Sequence, residues 1–488
     1  MKLLRDLIRN VRIEATSGPM HCAISGVQDD SRKVTKGTLF VAVKGVQSDG
    51  HAFLSAAIDA GACAIVCEDL PANRPPHVAF VQVKHAAEAL GIIAAHWYDN
   101  PSKKLSLVGI TGTNGKTTTA SLLYQLFRAL DRKTGLISTV VNCVDKVCSP
   151  STHTTPNALV LQKLLAEMVD AGCRVAFMEV SSHGLVQQRV AGVHFSGAVF
   201  TNITHDHLDY HGTFDDYILA KKGLFDALGK DAFALYNADD RHGKTMVAHT
   251  KAKIYSYALK TPADYKVKVL ESHLHGLLLN IQQKECWMRL IGEFNAYNAA
   301  AIFGVADLLG IEESQLLTTL SALQSVGGRF QTLRSTGGIV GVVDYAHTPD
   351  ALENVLKTLA EFRKNNAARV LTVIGCGGDR DRAKRPLMAQ IAANLSDVVI
   401  LTSDNPRSED PAAILAEMEA GLDSLQKRKS ITLSDRKEAI KLACQRADAG
   451  DIVLVAGKGH ETYQEIQGIR HPFDDVAVLK ETFTLLNC

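Results

Sequence analysis

The chain reads as an α/β protein in three units. These are a small mixed α/β unit over residues 1–99, a central phosphate-loop unit with a doubly wound, mostly parallel sheet over 100–328, and a third α/β unit over 329–488. Three observations predict this arrangement. A chain of 488 residues exceeds what one hydrophobic core ordinarily holds. Short apolar runs with strand character alternate with stretches of helical spacing from residue 104 onward. A glycine-rich turn sits between one such run and the helix that follows it.

That turn organises the rest. Residues 105–110 form an apolar, strand-like run, and Leu122, Leu123, Leu126, Phe127 and Leu130 then recur at helical spacing. Between them lie Gly112, Thr113, Asn114, Gly115, Lys116, Thr117 and Thr118. A turn of this kind aims backbone N–H groups and the positive end of a helix dipole at one point. Lys116 adds a point charge there, and Thr117 a hydroxyl suited to Mg²⁺. The implied ligand is a nucleoside triphosphate. The loop is a shortened version of the usual pattern, with Ile110 where a glycine is expected.

Composition bounds the function. Hydrophobic content of 46% and charged content of 22% are those of a soluble globular protein. A net charge of +1 argues against a nucleic-acid face spread over the whole surface, while allowing a local basic pocket. Ten cysteines contain no Cys-x-x-Cys pair, which reads as reduced thiols in a cytosolic protein. Lys2, Arg5 and Asp6 interrupt the N-terminus before any signal-like run develops. No segment approaches roughly 18 uninterrupted apolar residues. The expectation is a cytoplasmic protein with neither nucleic acid nor a membrane span.

In the first unit, strands are expected over 23–27, 37–43 and 62–67 and a helix over 51–60. The polar cluster Asp29, Asp30, Ser31 and Arg32 stands at a strand end, as a turn or a ligand contact. Asn100-Pro101 marks a linker over 98–103. In the central unit a strand over 135–141 precedes a helix over 159–171, and a strand over 174–180 ends in Glu179. Ligands in an open parallel sheet sit beyond the carboxyl ends of the strands. Glu179 would therefore share a rim with the phosphate loop as a Mg²⁺ ligand, or cap the next segment. A strand over 197–203 delivers His205, His207, Asp209 and His211 to the same rim. Alternating His and Asp invite a zinc reading. Tyr210 separates Asp209 from His211, however, and favours a Mg²⁺/nucleotide role for one histidine. Residues 217–225 are an amphipathic helix whose Lys221 and Lys222 read as a solvated face. Asn295 and Asn298 stand one helical turn apart, to read an adenine edge or to cap a helix. In the third unit, strands over 338–343, 368–374, 397–402 and 451–456 end in glycine or charge. They form a second rim facing the first, as expected if ATP is used to join substrates with domain closure.

Several motifs occur in order along essentially the whole chain: Gly112 to Thr118; Glu179, Ser181 and His183; residues 201–212; Asn295 and Asn298; Gly328 and Arg329; Asp344, Tyr345 and His347; Gly377 to Arg380; Asp404 to Arg407; and Gly457 to Glu461. Together they resemble the Mur ligases of peptidoglycan synthesis. The resemblance implies a uridine-nucleotide domain, a central ATPase and a Rossmann-like C-terminal domain for an incoming amino acid. It implies that the γ-carboxylate of a D-glutamyl residue attacks the ATP γ-phosphate, and that an amine attacks the resulting acyl phosphate. Mg²⁺ and protein cations would offset the charge of the reacting anions, and the intermediate must be shielded from water.

Residue by residue, the resemblance puts Gly112 to Thr118 on the phosphates, with Lys116 on the transferring group. Thr117, Glu179 and His207 would hold Mg²⁺. Lys221 matches a lysine that the family carbamylates to hold a second Mg²⁺, which replaces the solvated-face reading. Asn295, Asn298, Arg329, Asp344 and His347 would address adenine, ribose and phosphate. Ser31, Val46, Gln47 and Ser48 match the uridine-nucleotide pocket. Thr154, Thr155, Ser181, Gln187 and Arg189 match positions for the muramoyl dipeptide. Some relatives have Asn where this chain has His153, and one has an apolar residue where it has Asp29.

Asp404, Asn405, Pro406 and Arg407 resemble the signature of diaminopimelate-adding members. Meso-diaminopimelate carries a carboxylate and an ammonium at its distal stereocentre, where lysine has only the ammonium. Arg407 offers a bidentate fork to that carboxylate. Asn405 and Glu461 would take the ammonium, Arg380 the other carboxylate, and Gly457 completes the set. The implied partners are ATP, the UDP-N-acetylmuramoyl-L-alanyl-D-glutamate substrate and meso-diaminopimelate, acting on a monomer. The alternatives are a lysine-adding or folylpolyglutamate synthase-like ligase, a zinc hydrolase at His205/His207/His211, and a non-catalytic nucleotide scaffold.

Overall fold

The structure is a computed structural model describing residues 1–45, 48–363 and 368–486. Three large sheets follow one another along the chain. The first has five strands, in the order Ile13–Ser17, Ala79–Val83, Ala64–Cys67, Thr38–Val41, Gly26–Gln28. All its pairings are parallel except that of Ile13–Ser17. Helix Ala86–Trp97 packs its apolar side into the same core.

The second sheet has eleven strands. Its centre is parallel, in the order Thr134–Ile137, Val175–Glu179, Ser106–Thr111, Gly197–Phe200, Phe233–Asn237, Lys253–Ala258. Apart from Lys253–Ala258, whose first residues are exposed, these strands are almost entirely buried, which is why they read as unbroken apolar runs. Helices Lys116–Ala129 and Glu293–Leu308 contribute to the core on one face. Ala158–Asp170 and Phe214–Asp226 contribute to the other.

The third sheet has six strands, with Gln331–Arg334 antiparallel at one edge. Five parallel strands follow, in the order Val340–Asp344, Ile452–Ala456, Val370–Ile374, Val398–Leu401, Ser430–Thr432. Buried clusters lie on both of its faces.

Several expectations are corrected. The strand expected over 135–141 stops at Ile137, because Thr139 turns to donate its N–H to Glu179 Oε1 at 2.7 Å. The chain re-enters the sheet as an antiparallel hairpin, Val141–Val144 with Val147–Pro150. There Cys143 and Cys148 stand opposite each other and form a disulfide, so the reading of all cysteines as reduced thiols fails. Only pairing register, which Cys spacing does not carry, could have found it. The linker expected over 98–103 is partly ordered as the 3₁₀ helix Pro101–Lys104, with Pro101 and Ser102 buried. Lys221 and Lys222 are both buried, so neither belongs to a solvated face. The strands Ile13–Ser17 and Ala79–Val83, and the meander Tyr265–His273, Gly276–Ile281, Lys284–Met288, were not anticipated.

Candidate active site

The carboxyl ends of the central and C-terminal strands open onto one cleft of about 1820 Å³. Lys116 and Arg407 both line it, as do the residues from Thr113 to Thr118. The loop conformation follows from its glycines. Gly112 has φ 149°, and a Cβ there would lie 1.9 Å from Thr201 Oγ1. Gly115 caps the helix at φ 86°, where a Cβ would lie 2.7 Å from Asn298 Oδ1. Residues with side chains would block both turns.

Lys116 Nζ donates to the carbonyls of Gly112 (2.9 Å) and Thr113 (2.8 Å). Lys221 Nζ reaches the same Gly112 carbonyl at 2.8 Å, from helix Phe214–Asp226. Burial lowers the pKa of both ammonium groups, that of Lys221 far below its ordinary value. Two buried amines thus share one carbonyl, an arrangement suited to an incoming anion.

Glu179 is fully buried at the end of its strand, paired in register with Ile110. Its Oε2 accepts from Thr117 Oγ1 at 2.9 Å and from Thr139 Oγ1 at 3.1 Å. Arg329 Nη2 donates to Thr117 Oγ1 at 3.0 Å, and Arg329 Nε is buried without a partner. A carboxylate beside a threonine hydroxyl is a hard-oxygen pair that fits Mg²⁺. His207, at φ 55°, has its Nε2 3.2 Å from Asp206 Oδ2. Burial lowers the His207 imidazole to about 3, leaving a neutral ring able to act as a ligand. Asp206, unnoticed in the sequence, is buried among Lys116, Lys384, His207 and His347.

The zinc reading loses its geometry. His205 pairs with Asp381, His207 with Asp206, and His211 Nε2 with Ser182 Oγ at 2.9 Å. Among the described residues, no group of three or more His, Cys, Asp or Glu is arranged to hold a metal.

Asn295 and Asn298 are buried along the cleft. Asn298 Nδ2 donates to Asn295 Oδ1 at 2.9 Å, and Asn295 Nδ2 to the Ile291 carbonyl at 2.8 Å. Asp344 Oδ2 accepts from Phe330 N at 2.6 Å, which fixes the chain beside Arg329. His347 Nδ1 faces the Tyr345 carbonyl at 3.0 Å, and burial holds its ring down to about 4. On the opposite wall, Thr155 Oγ1 ties the Glu179 carbonyl to Ser181 N, both at 3.0 Å. Thr154 Oγ1 meets Thr139 Oγ1 at 3.0 Å. Arg189 donates to Gln187 Oε1 and, at 2.7 Å, to the Thr155 carbonyl. His153 is exposed at the rim, with its Nδ1 3.1 Å from Thr152 Oγ1. Ser31 and Ser48 belong instead to the N-terminal unit, where Ser31 opens the 3₁₀ helix Ser31–Lys33. Val46 and Gln47 lie outside the described residues.

The C-terminal strand ends supply the facing wall. Arg407 holds φ 52° and donates from Nη1 to the Gly378 carbonyl at 2.6 Å. Gly378 is required because a Cβ would lie 2.0 Å from the Pro406 carbonyl oxygen. Asn405 Nδ2 donates to Glu461 Oε2 at 2.7 Å. Arg380 is exposed along the cleft, Asp404 is buried in its wall, and Gly457 has φ 115° with a Cβ position 2.6 Å from Asp404 Oδ2. Burial, then the Asp404 carboxylate, push the Glu461 carboxyl up. Polar contacts that join the central and C-terminal walls include Asn114 Nδ2 to Asp350 Oδ2 at 2.8 Å, Arg329 to Thr117, and His205 to Asp381 at 3.4 Å.

Family models match in the same order as the sheets. The Mur ligase family catalytic domain covers 23–98, the Mur ligase middle domain 110–306, and the Mur ligase glutamate ligase domain 328–459. The chain belongs to the Mur ligase family. A UDP-N-acetylmuramoyl-L-alanyl-D-glutamate–2,6-diaminopimelate ligase of Cytophaga hutchinsonii is 53% identical over 484 residues, 99% of each chain. Its counterpart from Geobacillus kaustophilus is 44% identical over 469 residues, 94% of each. A solved structure of a ligase of that name superposes at TM-score 0.69 with 35% identity, covering 100% of both chains. A Mycobacterium tuberculosis folylpolyglutamate synthase shares the fold at 20% identity and TM-score 0.63, over 77% of this chain and 93% of its own. Within this Mur ligase, the phosphate loop lies in the stretch matched by the middle domain, and Arg407 in that matched by the glutamate ligase domain.

Proposed function

We propose that this chain is an ATP-dependent ligase that forms a peptide bond. It joins meso-2,6-diaminopimelate to the D-glutamyl γ-carboxylate of UDP-N-acetylmuramoyl-L-alanyl-D-glutamate, in the synthesis of peptidoglycan precursors. The observation that carries the reading is the shared cleft: Lys116 on one wall, and Arg407 with Glu461 on the other, border one space. We assign residues 1–99 to the uridine nucleotide, 100–328 to ATP and 329–488 to the amino acid.

A carboxylate oxygen attacks the γ-phosphorus, the bond to ADP breaks, and an acyl phosphate forms. The amine nitrogen then attacks the acyl carbon, phosphate leaves, and an amide remains. Bringing two anions together is the electrostatic obstacle. Lys116 and the N–H groups of residues 113–118 bind the phosphates, and Arg329 approaches them from beside Thr117. Asn295, Asn298, Asp344 and His347 border the nucleoside. Thr154, Thr155, Ser181, Gln187 and Arg189 orient the dipeptide, while Ser31 and Ser48 serve the uridine end. Thr117, Glu179 and His207 would hold Mg²⁺, which supplies charge neutralisation at the phosphates when bound. Burial pushes the Lys221 amine toward its neutral form, which suits carbamylation, and that would turn it into a carboxylate for a second Mg²⁺.

At the amine end, Arg407 and Arg380 take the two carboxylates, and Glu461, Asn405 and Asp404 the distal ammonium. Arg407 disfavours L-lysine, which would leave the guanidinium without an anionic partner. The test is to incubate the chain with ATP, the UDP-dipeptide and meso-diaminopimelate and follow ADP and product mass together. The reading requires a UDP-tripeptide formed in step with ADP. ADP release without ligated product would overturn it.

A further inference from the structure

We propose that Lys458 is a positioning residue of the amine site: it sets the orientation of Asn405 and braces Glu461 so that one Glu461 oxygen is left for an ammonium. The inference rests on the reading of the C-terminal wall as an amine site and adds to it a residue that borders no substrate there. Lys458 lies between Gly457 (φ 115°) and Gly459 (φ 51°). A Cβ on Gly459 would approach the Gly328 carbonyl oxygen to 2.5 Å, so this turn is packed tightly against Gly328.

The Lys458 side chain is fully buried. Its Nζ donates to Asn405 Oδ1 and to Glu461 Oε2, each at 3.1 Å, and lies 5.5 Å from the centre of the Tyr463 ring. Asn405 Oδ1 also accepts from Glu465 N at 2.9 Å. With two donors on that oxygen, the amide has one satisfied orientation, and its nitrogen must face Glu461 Oε2. Glu461 Oε2 is thereby occupied twice, by Asn405 and by Lys458. Among the described residues, its Oε1 has only the long contact from Tyr345 OH at 3.4 Å. Oε1 is the acceptor free to meet an ammonium.

Charge gives the same answer. The Asp404 carboxylate is close enough to Glu461 to add to the burial that pushes the Glu461 carboxyl up. The buried Lys458 ammonium offsets the pair from the Glu461 Oε2 side and leaves Oε1 facing the substrate. Beneath them, the Arg436–Asp475 pair ties the Ser403 and Ala456 carbonyls, which keeps the supporting strand ends in place. Lys458 is thus wired to the recognition groups and not to the nucleotide wall.

The test compares Lys458→Met, Lys458→Gln and Lys458→Arg with the parent protein in steady-state ligation, with thermal melts to establish folding. Lys458→Met should raise KM for meso-diaminopimelate about tenfold or more, the loss expected for a charge-assisted bond. KM for ATP and for the UDP-dipeptide should stay within about threefold, since no contact to those walls is removed. Lys458→Arg, which keeps the cation, should recover part of the loss. If Lys458→Met does not fold, Lys458→Gln carries the test, with an expected rise of about fivefold for one retained bond. An unchanged amine KM in a folded variant, or a parallel rise in KM for ATP, overturns the proposal. The parent protein is run on meso-diaminopimelate and on L-lysine. If it uses only lysine, the assigned substrate is wrong, and the same variants then test Lys458 on the amine that is accepted.

Discussion

The basic side chains of this molecule fall into two groups that differ in what they touch. Arg436 and Asp475 form a fully buried pair, Arg385 is held between Glu409 and Glu417, and Arg369 is bonded to Asp451. Along the cleft, the partners are neutral. Lys116 and Lys221 bond to main-chain carbonyls, Arg189 to Gln187 and the Thr155 carbonyl, and Arg407 to the Gly378 carbonyl. A cation removed from water needs its charge offset, and a carbonyl does this only in part. The first group is settled within the fold. Among the described residues, the second group has no carboxylate partner of its own; the proposed phosphates on one wall and amino-acid carboxylate on the other would supply the missing anions. Lys458 stands between these classes, paired with Glu461 inside the wall proposed to receive the substrate's own cation.

This contrast can be broken from either side. Lys116→Met should lower kcat about 10³-fold, ~4 kcal/mol of barrier, with the fold intact by circular dichroism. Arg436→Met should do the reverse, removing ~3–5 kcal/mol of stability in a urea titration by leaving Asp475 buried alone. A near-neutral result for Arg436→Met would end the distinction. Arg407→Ala should raise KM for meso-diaminopimelate about 10²-fold, ~3 kcal/mol, with ATP affinity little changed. Lys221→Met should abolish turnover yet hold stability level or raise it by ~1 kcal/mol, since it removes an amine whose bonded partner is a carbonyl. A large destabilisation there would place Lys221 with the structural group.

The smallest effect concerns pH. Burial holds His347 to about 4 and His460 to about 3 in the folded chain, whereas unfolded histidine titrates near 6.5. Their contribution is therefore complete above about 6.5, because both states are then neutral, and declines as pH falls toward about 4. Urea midpoints at pH 7 and pH 5 check the sign, and a midpoint that rises on acidification would contradict it.

How much of this was legible in the sequence follows from how local each feature is. The phosphate loop is contiguous, so strand, glycines, Lys116 and helix announce it together. Glu179 was legible because it ends an apolar run whose neighbour carries that loop. Thr139 was not, since its bond to Glu179 exists only because the strand breaks at Ile137, and Val140 and Val141 beyond the polar pair Ser138–Thr139 make the stretch read as one strand. Asp206 sat in a stretch crowded with histidines, and nothing local says which side chain turns inward. Lys221 looked amphipathic and solvated; the structure buries it because helix Phe214–Asp226 lies over Gly112. The Cys143–Cys148 link and the Lys458 network both depend on which strands lie side by side.

The most direct measurement of the central claim is the ratio of kcat/KM for meso-diaminopimelate to that for L-lysine, in the parent protein and in Arg407→Ala. If the cleft-facing cations are reserved for ligand anions, the parent protein strongly prefers meso-diaminopimelate and Arg407→Ala loses about 10²-fold of that preference. Equal use of both amines by the parent protein, or a preference untouched by the substitution, would contradict it.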